Sequence, residues 1–129
     1  MTPLDLVKLP ELMKLTSGRS EIVVGMVDGP IAISHGDLVR SRIRQVAGET
    51  PAECAQTSSV ACVHGTFVAG ILSARRGSAA PAICPDCTLL VSPVFLETAT
   101  GSGAAKRHPR GACGRNPQVH RGRCPEWLI

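Results

Sequence analysis

The stretch IVVGMVDGP, residues 22–30, carries the clearest fold signal in the chain. Its first six residues are apolar and rich in β-branched side chains, a pattern typical of a strand buried on both faces of a parallel sheet. Asp28 ends that run, and the Gly-Pro pair that follows indicates a turn. An acid at this point is expected at the carboxyl edge of the sheet, where α/β proteins place their functional sites. Taken alone, the same residues also fit an Asp that only starts a turn.

Other segments on either side of this strand have the pattern of helices and strands. Apolar residues recur at near-helical spacing between residues 4 and 15, and Pro10 is expected to kink or divide that helix. The remaining elements predicted are a strand over 43–46, a loop over 48–59, a helix over 66–74 and a buried strand over 88–95. The order helix, strand, strand, helix, strand predicts a layered α/β architecture.

Charge divides the chain into two parts. The 129 residues carry a net charge of +4, and six of the Lys/Arg residues, against a single acid, lie in residues 98–129. That segment is also rich in Gly and Pro, so we expect residues 1–97 to fold and 98–129 to form a disordered basic tail. The tail leaves a nucleic-acid binder open as one class of function. Only 2% of the residues are aromatic, which argues against an RNA-stacking surface, so nucleic acid is an unlikely partner.

The sequence shows neither a membrane span nor a secretory signal. Its apolar runs are far shorter than the roughly 18 residues that a span requires. The first 14 residues are amphipathic and include acids rather than a continuous apolar core, so a cytoplasmic location without membrane attachment is expected.

A second segment, CVHGTFVAGIL at residues 62–72, places a histidine where we expect an apolar helix to begin. The first turn of a helix disfavours an imidazolium, whereas a nearby carboxylate favours it and fixes the tautomer. Gly65 permits a close backbone approach beside the ring. By itself His64 also fits a capping or core histidine.

Together the two segments resemble the Asp and His motifs of subtilisin-like serine proteases. In that family a strand ends in Asp-Ser/Thr-Gly, and His-Gly-Thr-His-Val-Ala-Gly opens a helix. The second motif matches here except at Phe67, which replaces the second His, and the first is looser because Gly29 directly follows Asp28. Residues 80–91, APAICPDCTLLV, are similar to the family's segment that leads into the next strand. Phe67 and the nearby cysteines are most similar to the cyanobactin-maturation branch, whose proteases cut ribosomally made precursor peptides.

This resemblance covers about residues 10–97 and implies a fold, a mechanism and a substrate class. The fold would be the N-terminal portion of a three-layer, parallel-sheet subtilase domain. Asp28 and His64 would be catalytic residues of a Ser-His-Asp triad acting on a peptide or protein, with neither a cofactor nor a metal.

The serine of the triad is not identifiable in the sequence. Ser102, in TGSGAA at residues 100–105, follows His64 by only 38 positions with no sheet between them, and Asn116 is an equally poor oxyanion donor. We therefore expect a truncated domain with little or no proteolytic activity on its own. The alternative is a catalytically inactive interaction module of the same fold.

The six cysteines leave several interpretations open. A disulfide could join the region of residues 54 and 62 to that of residues 84 and 87, or these four cysteines could bind zinc. Free thiols, as in a reducing compartment, and a redox-active Cys-x-x-Cys are further possibilities. A second zinc set would lie in the tail, at His108, Cys113, His120 and Cys124.

Overall fold

Three helices and three strands make up the described part of the chain. The computed structural model describes residues 3–47, 50–79 and 81–98. The elements, in chain order, are α1 (Pro3–Leu6), α2 (Leu9–Leu15), β1 (Val23–Asp28), β2 (Arg42–Gln45), α3 (Val60–Ser73) and β3 (Thr88–Pro93). None of the helices in these ranges combines the length and apolarity needed to cross a bilayer.

The three strands form a parallel sheet in the order β1-β3-β2. Val91 of β3 pairs with Met26 on one side and with Gln45 on the other. The last strand of the chain thus lies between the first two. Parallel pairing allows this order because each connection is long enough to bring the chain back to the end of the sheet where the strands begin. The predicted α/β class and parallel sheet are confirmed.

The hydrophobic core lies between one face of this sheet and α3. Met26, Leu89 and Val91 from the sheet pack in one cluster with Ala69 of the helix. The opposite face of β1 is open, with Val23 55% and Val27 59% exposed. The prediction that this strand is buried on both faces is therefore wrong. Among the described residues, β1 contributes to the core through the face that carries Met26. The strand also lies at the edge of the sheet, so it pairs with β3 only.

Helix α3 begins at Val60, six residues before the predicted start. Ser59 caps it, since its hydroxyl oxygen accepts a hydrogen bond from the backbone N–H of Cys62 at 3.1 Å. His64 consequently lies in the second turn rather than at the helix start. The prediction that the first turn disfavours its imidazolium is corrected accordingly, because the dipole effect fades within one turn.

The N-terminal helix is divided, as expected from Pro10. The break falls just before the proline: Lys8 has a left-handed backbone with φ of 56°, and Pro10 lies in the first turn of α2. A proline fits there because a first-turn residue needs no N–H donor.

A guanidinium fixes the end of α2 to the rest of the fold. Arg76 donates to the carbonyls of Met13, Thr16, Ala82 and Ile83. One side chain thus joins the segment after α2 to the segment that leads into β3.

Candidate active site

Asp28 and His64 meet at the carboxyl end of β1. Asp28 is the last residue of that strand, and its Oδ1 lies 2.8 Å from Nδ1 of His64 on α3. The same oxygen accepts the backbone N–H of Gly29 at 2.6 Å, which fixes the carboxylate. The structure thus brings together the two residues that the motifs single out, although they are 36 positions apart in sequence.

The two side chains differ in exposure in a way that matters chemically. The Asp28 side chain is 14% exposed, whereas that of His64 is 63% exposed. A carboxylate on Nδ1 favours the tautomer that carries its proton there, so that the lone pair of Nε2 is available to accept a proton. The arrangement can therefore act as a general base on a group that approaches from the solvent side.

The residues that follow His64 hold the helix against β1. A Cβ at Gly65 would meet the carbonyl oxygen of Pro30, and that of Gly29 at 2.7 Å. The hydroxyl oxygen of the next residue, Thr66, accepts a hydrogen bond of 2.9 Å from the backbone N–H of Ala32. His-Gly-Thr is thus a structural unit, because each of its residues makes one connection to the end of β1 or the loop after it.

Known structures share this arrangement of elements. No protein-family model and no curated protein matches the sequence. A serine-to-alanine variant of the protease domain of PatA matches with a TM-score of 0.59 and 27% identity, over 67% of this chain and 31% of that one. The prenylagaramide maturation protease PagA matches with a TM-score of 0.56 and 25% identity, over 74% of this chain and 30% of that one. The chain resembles the protease domains of cyanobactin maturation.

Its subtilisin-like fold corresponds to part of those domains. The patellamide maturation protease PatG, at 16% identity and a TM-score of 0.57, shares the fold. The chain spans about a third of the PatA and PagA chains that it matches, 31% and 30% respectively. Ser102 and Asn116 lie outside the described residues. Within those residues, the structure shows no serine hydroxyl hydrogen-bonded to His64.

A disulfide joins Cys54 to Cys62, with the Cα atoms 5.7 Å apart. The possible disulfide between the 54/62 and 84/87 regions is not formed, because Cys54 and Cys62 bond to each other and leave Cys84 and Cys87 free. A four-cysteine zinc site is excluded for the same reason, since two of its sulfurs are bonded to each other. The tail set of histidines and cysteines lies outside the described residues.

Cys84 and Cys87 are free thiols on the turn that leads into β3. Burial, and then the neighbouring Cys87 thiol, raise the pKa of Cys84. A raised pKa makes Cys84 a poor nucleophile near neutral pH.

Glu97 lies beside the disulfide, and its acceptor role was not apparent from the sequence. The net effect of its surroundings is to lower the pKa of Glu97. Partial burial raises this pKa, but hydrogen bonds from the amides of Ala55 and Gln56 and from the Ser59 hydroxyl outweigh the effect of burial. The carboxylate and both sulfurs lie within 4.8 Å of one another, the spacing of a metal site. With the sulfurs in a disulfide, however, the group lacks the thiolates that a metal would bind.

Apolar side chains surround the exposed histidine. A cavity of about 430 Å³ is lined by Ser58, Val60, Val63, His64 and Phe67. Phe67 is 66% exposed and Val63 57%. The substitution of Phe67 for the family's second His thus adds to an apolar surface next to the candidate general base.

Proposed function

We propose that Asp28 and His64 are the general-base pair of a subtilisin-like serine endopeptidase. The observation that carries the proposal is the 2.8 Å bond between Asp28 Oδ1 and His64 Nδ1 on the edge of a fold shared with the PatA and PagA protease domains. The pairing leaves Nε2 for the nucleophile, as a serine protease mechanism requires.

In this mechanism, Nε2 of His64 accepts the proton of a serine hydroxyl as the serine oxygen attacks the peptide carbonyl. The imidazolium that forms is stabilised by Asp28 and then gives the proton to the leaving amine. Water repeats the sequence on the acyl-enzyme and releases the acid. Each oxyanion donor contributes roughly 3 kcal/mol to stabilising the tetrahedral intermediate.

The nucleophile in this proposal comes from outside the described residues. No serine among them is hydrogen-bonded to His64, and the matched protease chains are about three times the length that this chain spans. Residues 1–97 would then be the N-terminal part of a peptidase domain, and 98–129 a separate tail.

The substrate that fits is a peptide, and we propose a ribosomally made precursor peptide. PagA, which is 25% identical to this chain over the aligned region, is a prenylagaramide maturation protease. The exposed apolar surface of Val63 and Phe67 beside His64 suits an apolar side chain next to the cleaved bond.

A fluorogenic peptide library tests the proposal on four purified proteins: the wild-type chain and its His64→Ala, Asp28→Asn and His35→Ala variants. His35 is the matched control, because it is also exposed but hydrogen-bonds the Asp37 amide instead of Asp28. Any hydrolysis should fall about 10⁴-fold in the first two variants and stay unchanged in the third. Hydrolysis that survives in His64→Ala would remove the basis of the proposal.

The competing function is an interaction module of the same fold, and the exposed Val60, Val63 and Phe67 side chains favour it. Fluorescence anisotropy with a labelled peptide separates the two functions. A module would bind the peptide equally well as wild type and as His64→Ala, whereas in a peptidase the His64 ring lines the cavity beside the cleaved bond, so its removal should weaken binding.

A further inference from the structure

The segment after β3 forms a connection between the two halves of the Asp28–His64 pair. At its start, the backbone N–H of Val94 donates to the carbonyl oxygen of Asp28 at 2.7 Å. At its end, the Glu97 carboxylate accepts the amides of Ala55 at 2.7 Å and Gln56 at 2.8 Å. One short segment therefore contacts the residue that carries the acid and the loop that leads into the histidine's helix.

Glu97 also contacts the cap of α3 directly. The Ser59 hydroxyl donates to Oε1 of Glu97 at 3.1 Å, and its oxygen accepts the Cys62 amide at 3.1 Å. Because the hydroxyl proton points to Glu97, a lone pair of the oxygen faces the helix amide. The negative charge of the carboxylate also lies near the positive end of the helix, where it is stabilising.

We propose that Glu97 is a positioning residue that holds His64 against Asp28 through the first turn of α3. This inference rests on the proposed role of the pair, although Glu97 itself takes no part in the chemistry. The disulfide between Cys54 and Cys62 ties the loop to the helix, so loop and helix move together. Glu97 adds a connection from that unit to the extension of β3.

The experiment compares Glu97→Gln with Glu53→Gln in the full chain, with the disulfide intact. Glu53 is the matched control, since it lies in the loop that Glu97 contacts, is exposed and loses the same charge. Two NMR readouts are followed well below the unfolding temperature: the Nδ1 proton of His64, and amide exchange at Ala55 and Gln56. These report the Asp28–His64 bond and the Glu97 contacts independently of catalysis, so a failed peptidase assay leaves the test intact.

We expect the Ala55 and Gln56 amides of Glu97→Gln to exchange roughly 10- to 100-fold faster, as for the loss of hydrogen bonds to a charged group. The His64 Nδ1 proton signal should broaden and weaken in the same protein, and both readouts should match wild type in Glu53→Gln. Ser59→Ala should weaken the His64 signal too, and combining it with Glu97→Gln should add less than the sum of the two effects.

Faster loop exchange with an unchanged His64 signal would overturn the proposal, because Glu97 would then order only the loop. Equal weakening of the signal in Glu53→Gln would overturn it as well, since net charge would be the cause. If Glu97→Gln does not fold, Glu97→Asp replaces it: this variant keeps the charge but shortens the reach, and the same His64 readout decides.

Discussion

A single methyl group should separate the acid from the histidine without altering either residue. In Gly65→Ala, the new Cβ would lie 2.7 Å from the carbonyl oxygen of Gly29 and would also contact the Pro30 oxygen, whereas ordinary contact begins at 3.4 Å. Both obstacles are backbone atoms, so the helix must move away by roughly 1 Å, as overpacked sites do. The distance between Asp28 and His64 would then grow from 2.8 Å beyond hydrogen-bond range.

The control for this variant is Gly70→Ala in the same helix, where an added Cβ meets no atom within 4 Å. Alanine should stabilise α3 at that position by about 0.5–1 kcal/mol through its higher helix propensity. At Gly65 the same gain is opposed by roughly 1–3 kcal/mol of overpacking. Urea denaturation should therefore rank Gly70→Ala above wild type and wild type at or above Gly65→Ala.

The Nδ1 proton of His64 in NMR spectra is the second assay. The signal should be retained in Gly70→Ala and lost in Gly65→Ala while the protein remains folded. Equal stabilities for the two alanine variants, together with an intact His64 signal in both, would refute the argument that the backbone contact at Gly65 sets the geometry of the pair.

Three further predictions concern connections between separate segments of the fold. Arg76→Lys should lower the free energy of unfolding by about 1–3 kcal/mol and speed proteolysis near residue 16, because an ammonium cannot bond four separated carbonyls; unchanged stability would contradict this. Reducing the disulfide between Cys54 and Cys62 should cost about 2.5 kcal/mol for a separation of 8 residues, measured by urea denaturation with and without dithiothreitol; Cys84→Ser should respond to the reductant as wild type does. The pKa of Glu97 is lowered on folding, so its ionised carboxylate stabilises the folded state. This contribution to the free energy of unfolding should be complete above pH 4.5, the ordinary pKa of the group, and should disappear as the pH falls through the lower pKa of the folded state. Acid titrations of wild type and Glu97→Gln should therefore converge in that window, and parallel curves would be inconsistent with this linkage.

An apolar surface on β1 has a consequence for behaviour in solution. Val23 and Val27 lie more than half exposed on the same face of an edge strand, and such faces promote association.

Much of the local structure could be predicted from the sequence. The β-branched run before Asp28 predicts a strand because such side chains pack well on a pleated surface, and the structure has β1 there. Pro10 predicts a helix break because it lacks an N–H donor, and the break lies just before it. The start of α3 was missed, although Ser59 is a typical N-cap residue before an apolar stretch.

Long-range contacts could not be predicted in this way. The periodicity of β1 does not reveal that one of its faces stays open, because burial depends on which element packs there. Six cysteines do not reveal which two bond, since pairing follows from the distance between Cα atoms in the fold. Glu97 gives no local signal, because the amides that donate hydrogen bonds to its carboxylate are about 40 positions earlier in the chain.

Local sequence patterns therefore indicate which short segments become strand and helix, with an acid at the end of one segment and a histidine in the other. Local backbone preferences and side-chain spacing are sufficient for that. Folding sets the 2.8 Å distance between the acid and the imidazole, the close approach at Gly65, and the hydrogen bonds of the Glu97 carboxylate to the loop before the helix. These contacts depend on the parallel sheet and on helix packing, which bring together residues that the chain itself keeps far apart.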